Sequence, residues 1–140
     1  MANKAIKYRV YPTTEQSFMF AKTFGCCRKV YNLMLSDKIE GYKTTGKFPA
    51  VTPAKYKKDY PYLKEVDSLA LANKQMDLQE AFRNRFGKSR KKANGFPKFK
   101  SAKHSRKAYT TNNQKGTVAI TDNKYIKLPK IGKVKAVIHR

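Results

Sequence analysis

Thr117-Val-Ala-Ile-Thr-Asp-Asn-Lys-Tyr-Ile-Lys-Leu128 is the stretch on which the fold turns. Two short runs of β-branched residues and tyrosine flank Asp122-Asn123, a pair suited to a tight hairpin turn. Past Gly132, Lys133-Val-Lys-Ala-Val-Ile-His139 alternates in the same way, so the C-terminal part predicts strands. At the other end, Lys4 to Tyr11 sets Ile6, Tyr8 and Val10 opposite Lys7, Arg9 and Tyr11, the period of a half-exposed strand that Pro12 ends. The middle is helical. Thr13-Thr14-Glu15-Gln16 offers a cap, and Phe20, Phe24, Cys27, Tyr31 and Met34 follow at spacings of four and three, a single apolar stripe. Gly25 predicts a kink or a split in that helix, and Gly46 a stop. Thr52-Pro53 opens a short helix that Pro61 closes, and Asp67-Ser68 caps a longer one to about Phe86, with Leu71, Leu78, Phe82 and Phe86 on one face and Gln75 interrupting it. Strand, helices, strands is an α+β order. It predicts a small β-barrel or sheet whose first strand is separated from the others by an inserted helical lobe.

Charge dominates the composition. The 140 residues hold 32 Lys and Arg against 9 Asp and Glu, a formal net charge of +23. Self-repulsion of that size calls for a polyanionic partner. With 40% hydrophobic and 12% aromatic residues, the chain nonetheless has enough apolar material for a modest core. The apolar runs are too short to span a bilayer and the first residues lack a secretory h-region, so the expected location is cytoplasmic. Cationic residues are interleaved with Tyr and Phe along the chain and not confined to one helix face, which favours nucleic acid over a membrane surface. Cys26 and Cys27 are neighbours, unable to build a disulfide framework or a CxxC half-site, and the only histidines, His104 and His139, lie far apart. No metal, cofactor or small-molecule substrate is expected. No Ser-His-Asp set, Gly-rich phosphate loop or carboxylate cluster stands out, so catalysis by this chain is not expected either.

From Glu80 to Asp122 no acidic residue intervenes, while Arg83, Lys88, Arg90, Lys91, Lys92, Lys98, Lys100, Lys103, Arg106 and Lys107 accumulate. Such an interval supplies affinity for a phosphate backbone but no sequence information. Phe86, Phe96, Pro97, Phe99 and Tyr109 punctuate it as anchors or stacking faces, Phe96 and Phe99 being expected in the core. Lys7, Arg9 and Tyr11 form a second candidate surface, a cationic ridge on the first strand.

Five motifs carry a resemblance: Lys7-Tyr-Arg-Val-Tyr-Pro-Thr13, Phe24-Gly-Cys-Cys-Arg-Lys-Val-Tyr-Asn32, Leu63-Lys-Glu-Val-Asp-Ser68, Gly95-Phe-Pro-Lys-Phe-Lys100 and Ile126-Lys-Leu-Pro-Lys-Ile-Gly-Lys-Val-Lys135. In this order they resemble the N-terminal region of TnpB (OrfB) proteins, transposon-encoded RNA-guided DNA endonucleases formerly described as transposases, and the resemblance covers essentially the whole chain. It implies a wedge (WED) domain, an oligonucleotide-binding type β-barrel at 1–12 and 96–140, interrupted at 13–95 by a helical recognition (REC) lobe formerly described as a helix-turn-helix. Guide RNA and double-stranded target DNA are the implied partners. The resemblance also implies a RuvC-like domain and a zinc ribbon beyond residue 140, so the chain is expected to be a fragment or truncated reading frame. Readout of a short DNA motif is expected from Lys55, Ser68 and Asn73 near the longer helix and from Thr111 and Asn112, because helix N-termini accept phosphates and short polar side chains reach base edges. Relatives often carry a bulky polar residue and a glutamine where this chain has Ser68 and Ala72. The motif preferred here is therefore expected to differ. Ser68 also suits a plain helix cap, and Gly25-Cys26-Cys27 is expected to pack helix against barrel. A stand-alone helix-turn-helix DNA-binding regulator is the alternative.

Overall fold

The computed structural model describes residues 5–86, 96–103, 107–113 and 116–138. They form an α+β fold that divides into two compact units, one of residues 1–21 with 112–140 and one of residues 22–111.

The first unit is built on a four-stranded antiparallel sheet: β1 (Val10–Tyr11), β2 (Ala119–Thr121), β3 (Tyr125–Leu128) and β4 (Gly132–Ala136), in the spatial order β1-β4-β3-β2. The hairpin forms as its sequence predicts. Asp122 and Asn123 take φ of 53° and 54°, the left-handed sign both central residues of a type I′ turn need, and the Lys124 N–H closes the turn on Thr121 C=O at 3.1 Å. Alternation buries Ile126 and Leu128 on β3 and Val134 and Ala136 on β4. The first strand is much shorter than Lys4–Tyr11. Only Val10 and Tyr11 pair, with Ala136 and Lys135, while the Val137 N–H reaches Arg9 C=O at 3.0 Å; Ile6, without a strand opposite it, stays 48% exposed.

The helix that follows, α1 (Thr14–Thr45), starts in a capping box: the Thr13 N–H donates to Gln16 Oε1 at 2.9 Å and the Gln16 N–H to Thr13 Oγ1 at 3.2 Å. The Gln16 amide also donates to Lys133 C=O at 2.5 Å, tying the first turn to β4. α1 does not split at Gly25 and runs unbroken for 32 residues. Its stop is the predicted one, Gly46 at φ 80° with its N–H on Tyr42 C=O.

In the second unit α1 packs with α2 (Ser68–Phe86) and with two 3₁₀ turns, Pro53–Tyr56 and Pro61–Glu65. The expected short helix from Pro53 therefore ends after one turn, and Pro61 opens a second turn where it was expected only to close the first. The core gathers Cys26, Cys27, Val30, Tyr31, Met34 and Leu35 of α1 with Val51, Tyr56, Leu63, Val66, Ala70, Leu71 and Leu78. Cys26 and Cys27 are buried in this helical core. Residues 96–111 also group here, whereas 13–21 group with the sheet. The reason is local: Phe96 meets Phe82 at 5.5 Å between ring centroids, and Tyr109 meets Phe24 at 6.1 Å.

Candidate nucleic-acid interface

The exposed face of the sheet is set by register. With Ile126, Leu128, Val134 and Ala136 buried, Tyr125, Lys127, Lys133 and Lys135 must point the other way. Lys127 stands directly opposite Lys133, and Lys135 is paired with Tyr125 on one side and Tyr11 on the other. Arg9, two residues before Tyr11, shares that face. Like charges directly opposite one another destabilise an antiparallel pair. Residues 1–21 and 112–140 together contain ten Lys and Arg but only Glu15 and Asp122 as acids, and among the described residues no carboxylate forms an ion pair with Lys127, Lys133 or Lys135. The face is therefore a cationic surface with tyrosines beside its central lysine. Of Lys7, Arg9 and Tyr11, expected from the sequence as a cationic ridge, Tyr11 lies on β1 beside Lys135, whereas Lys7 is exposed outside the paired strand. Tyr125, Lys127, Lys133 and Lys135 were not singled out, although their alternation in the two C-terminal strands was the signal.

In the helical unit, Lys98, Lys100, Lys103 and Lys107 are all exposed. Asn32 of α1 clamps the backbone beneath them: its amide donates to Lys100 C=O at 2.9 Å and its carbonyl accepts the Lys100 N–H at 2.7 Å. The Lys100 ammonium lies 4.9 Å from the Tyr31 ring centroid. A side-chain amide has thus taken the place of a neighbouring strand. Nothing in periodicity singles out Asn32, which ends the Phe24–Asn32 motif. Phe96 and Phe99 are 38% and 57% exposed, so neither is the core residue expected; Phe96 lies against the rings of Phe82 and Phe86 at the end of α2. Lys88, Arg90, Lys91, Lys92 and Arg106 lie outside the described residues.

Asp67, 5% exposed, organises the start of α2. One carboxylate oxygen accepts the Leu69 N–H at 3.0 Å, capping the helix, and the other accepts the Thr111 hydroxyl. Asp67 is the cap, and Ser68 is the exposed first helical residue. Ser68 and Thr111 are thereby drawn to one place. Asn73 lies a turn further on, its amide donating to Leu69 C=O at 2.8 Å. Lys55 is elsewhere, paired at 2.9 Å with Asp37, which also accepts the Tyr56 hydroxyl at 2.6 Å. Burial disfavours the Asp37 carboxylate, but the hydrogen bonds from Tyr56 and Lys55 outweigh it and hold its pKa below the usual value. Asn112 is exposed and groups with the sheet, and Arg83 is exposed in the last turn of α2. Among the described residues no three His, Cys, Asp or Glu side chains come together as metal ligands, and no helix is long and apolar enough to cross a membrane.

The OrfB-type helix-turn-helix domain matches residues 1–47. A protein from Streptomyces pristinaespiralis, named as a candidate RNA-guided DNA endonuclease, is 34% identical over 132 residues, 84% of this chain. The chain belongs to the TnpB/OrfB family. It spans 32% of the length of that Streptomyces relative. A second relative of this TnpB-type chain, virulence protein VsdF of Salmonella dublin, is 34% identical over 113 residues, covering 69% of this chain and 92% of its own. Within residues 1–47, where the TnpB/OrfB domain carries its helix-turn-helix label, the described residues hold β1 and one unbroken helix.

Proposed function

We propose that these residues are the nucleic-acid-binding region of a TnpB-type RNA-guided DNA endonuclease, holding guide RNA and target DNA and reading a short DNA motif beside the target. In this reading the sheet belongs to the WED barrel of residues 1–12 and 96–140, and α1 and α2 to the REC lobe of residues 13–95. The role assigned to the chain is binding and not cutting. One observation carries the proposal: Lys127 and Lys133 face each other across β3 and β4, with Lys135 beside them and no carboxylate in ion-pair contact among the described residues. A backbone of phosphates turns that repulsion into attraction. In RNA-guided systems base pairing supplies most of the sequence information, so the protein needs chiefly such backbone contacts plus a short duplex readout. Ser68 and Thr111, drawn together by Asp67, are the assigned place of that readout, with Asn73, Asn112 and Lys55 as further contacts. A stand-alone helix-turn-helix regulator would need two short helices joined by a turn, and α1 is continuous from Thr14 to Thr45. The test is a comparison of affinities at moderate salt. The purified chain is expected to bind structured RNA from its own locus more tightly than random duplex DNA; equal affinity for every substrate would leave only generic charge and overturn the proposal.

A further inference from the structure

Where the C-terminal ends of α1 and α2 meet the loop after Gly46, four aromatic rings gather around Phe48. Tyr42 stacks on it at 4.6 Å with the planes 18° apart, Phe82 meets it edge-on at 4.9 Å, and Phe86 and Phe96 lie 5.6 Å and 6.1 Å away. This is not a closed core. Tyr42 is 50% and Phe86 49% exposed, and a shallow, open pocket of about 590 Å³ lies against them.

The polar part of the pocket decides its occupant. Lys38 and Arg83 stand among its lining residues with the amide of Gln79, and no carboxylate does. Lys38 is fixed there, its ammonium donating to Pro49 C=O at 2.9 Å and lying 5.2 Å from the Phe82 ring centroid, while the Arg85 guanidinium lies 5.1 Å from that of Phe86. An apolar protein segment seated here would leave those cations without counter-charge, and a simple anion would leave the rings unused. A flat π-system attached to phosphate satisfies both. We propose that this aromatic pocket takes an unpaired nucleobase of a single strand, stacked on Tyr42 or Phe86, with Lys38 and Arg83 at its phosphates and Gln79 facing its edge. The base must be unpaired, because a paired base keeps both faces inside its own stack. The inference rests on the nucleic-acid reading for the class of ligand, but the pocket shares no residue with the sheet face.

The test uses the full chain and a single-stranded oligonucleotide carrying 2-aminopurine, whose fluorescence falls when the base stacks, alongside a duplex of the same sequence. Tyr42→Leu and Phe86→Leu keep apolar bulk and remove the ring; circular dichroism and thermal melting establish that they remain folded. The wild-type chain is expected to quench the probe. The two variants are expected to weaken single-strand binding roughly 5- to 150-fold, the range for losing one base–aromatic stack, while duplex affinity changes less than about twofold. Absent quenching, equal loss on both substrates, or displacement of the oligonucleotide by a polyglutamate peptide at equal charge would overturn the inference. Lys127→Gln with Lys133→Gln separates the two sites: if it abolishes duplex binding while the ring variants change nothing, the pocket inference fails and the sheet-face reading stands. If the wild-type chain binds neither substrate, the nucleic-acid reading fails first.

Discussion

Cys27 shows how much of the chemistry here is set by burial of single groups. Its side chain is 3% exposed in the core between α1 and α2, with its thiol 3.9 Å from Ala70 C=O. Burial, opposed by Lys74 and assisted by Cys26, Asp67 and Asp77, raises its pKa from 9.0 to about 11. The folded chain therefore holds a proton that the unfolded chain gives up first. The associated stability is complete below pH 9 and lost as pH rises toward 11. Between pH 8 and pH 10.5 this amounts to about 2 kcal/mol. Urea titrations of the wild type and of Cys27→Ala at the two pH values are expected to show a pH-dependent loss that is smaller in the variant by about that amount; parallel losses would mean the thiol ionises equally well in both states. Tyr109 is raised by burial, Asp67 and Cys27, and Tyr56 by burial and its bond to Asp37, so part of the alkaline loss remains in the variant. The adjacency of Cys26 and Cys27 in sequence excluded a disulfide framework and a CxxC half-site, and both thiols are free and buried. That Asp67-Ser68 would cap α2 was legible, but that Asp67 would also receive Thr111 was not, because Thr111 lies 44 residues further on and no local pattern encodes such a contact.

At the scale of elements, α1 carries two glycines with opposite consequences. A methyl group on Gly25 meets nothing closer than Arg28 Nη2 at 3.7 Å, whereas on Gly41 it falls 2.6 Å from both Cδ and Cγ of Pro49. Glycine costs a helix interior about 1 kcal/mol relative to alanine, and forcing atoms into a packed contact costs about 1–3 kcal/mol. Gly25→Ala is therefore expected to raise stability by about 1 kcal/mol and Gly41→Ala to lower it despite its better propensity. Thermal melts of the two variants against the wild type check this, and shifts of the same sign and size would contradict it. Gly25, which the sequence suggested as a break, is tolerated because the contacts of Cys26, Cys27, Val30 and Met34 continue through it. Gly41, which no pattern flagged, is the position where the loop after α1 returns onto the helix. The C-terminal strands were readable for the opposite reason. Their alternation and the Asp122-Asn123 turn are local signals, while the length of β1 depends on how far β4 extends beside it and is a tertiary quantity.

For the whole molecule the decisive quantity is the net charge of +23 and where the fold puts it. Along the sequence the excess is densest between Arg83 and Lys107; the structure adds a second concentration on the sheet, because only strand register sets Lys127 opposite Lys133 and Lys135 between two tyrosines. Each phosphate that a lysine neutralises releases condensed counterions, so affinity for duplex falls with salt along a log–log slope of about −0.9 per contact. If roughly six phosphates are engaged, the slope on duplex DNA is expected near −5. The sheet lysines should own part of that number. Lys127→Gln together with Lys133→Gln is expected to weaken binding to every sequence alike and to make the slope shallower by about 2, one for each phosphate contact removed. The same pair of changes removes the facing charges in the free chain and is expected to raise its melting temperature while lowering its affinity. That opposition is the signature of a surface kept repulsive for a ligand. A variant that loses both stability and affinity would place the two lysines in the scaffold, and a flat salt response in the wild type would remove the electrostatic basis of binding altogether.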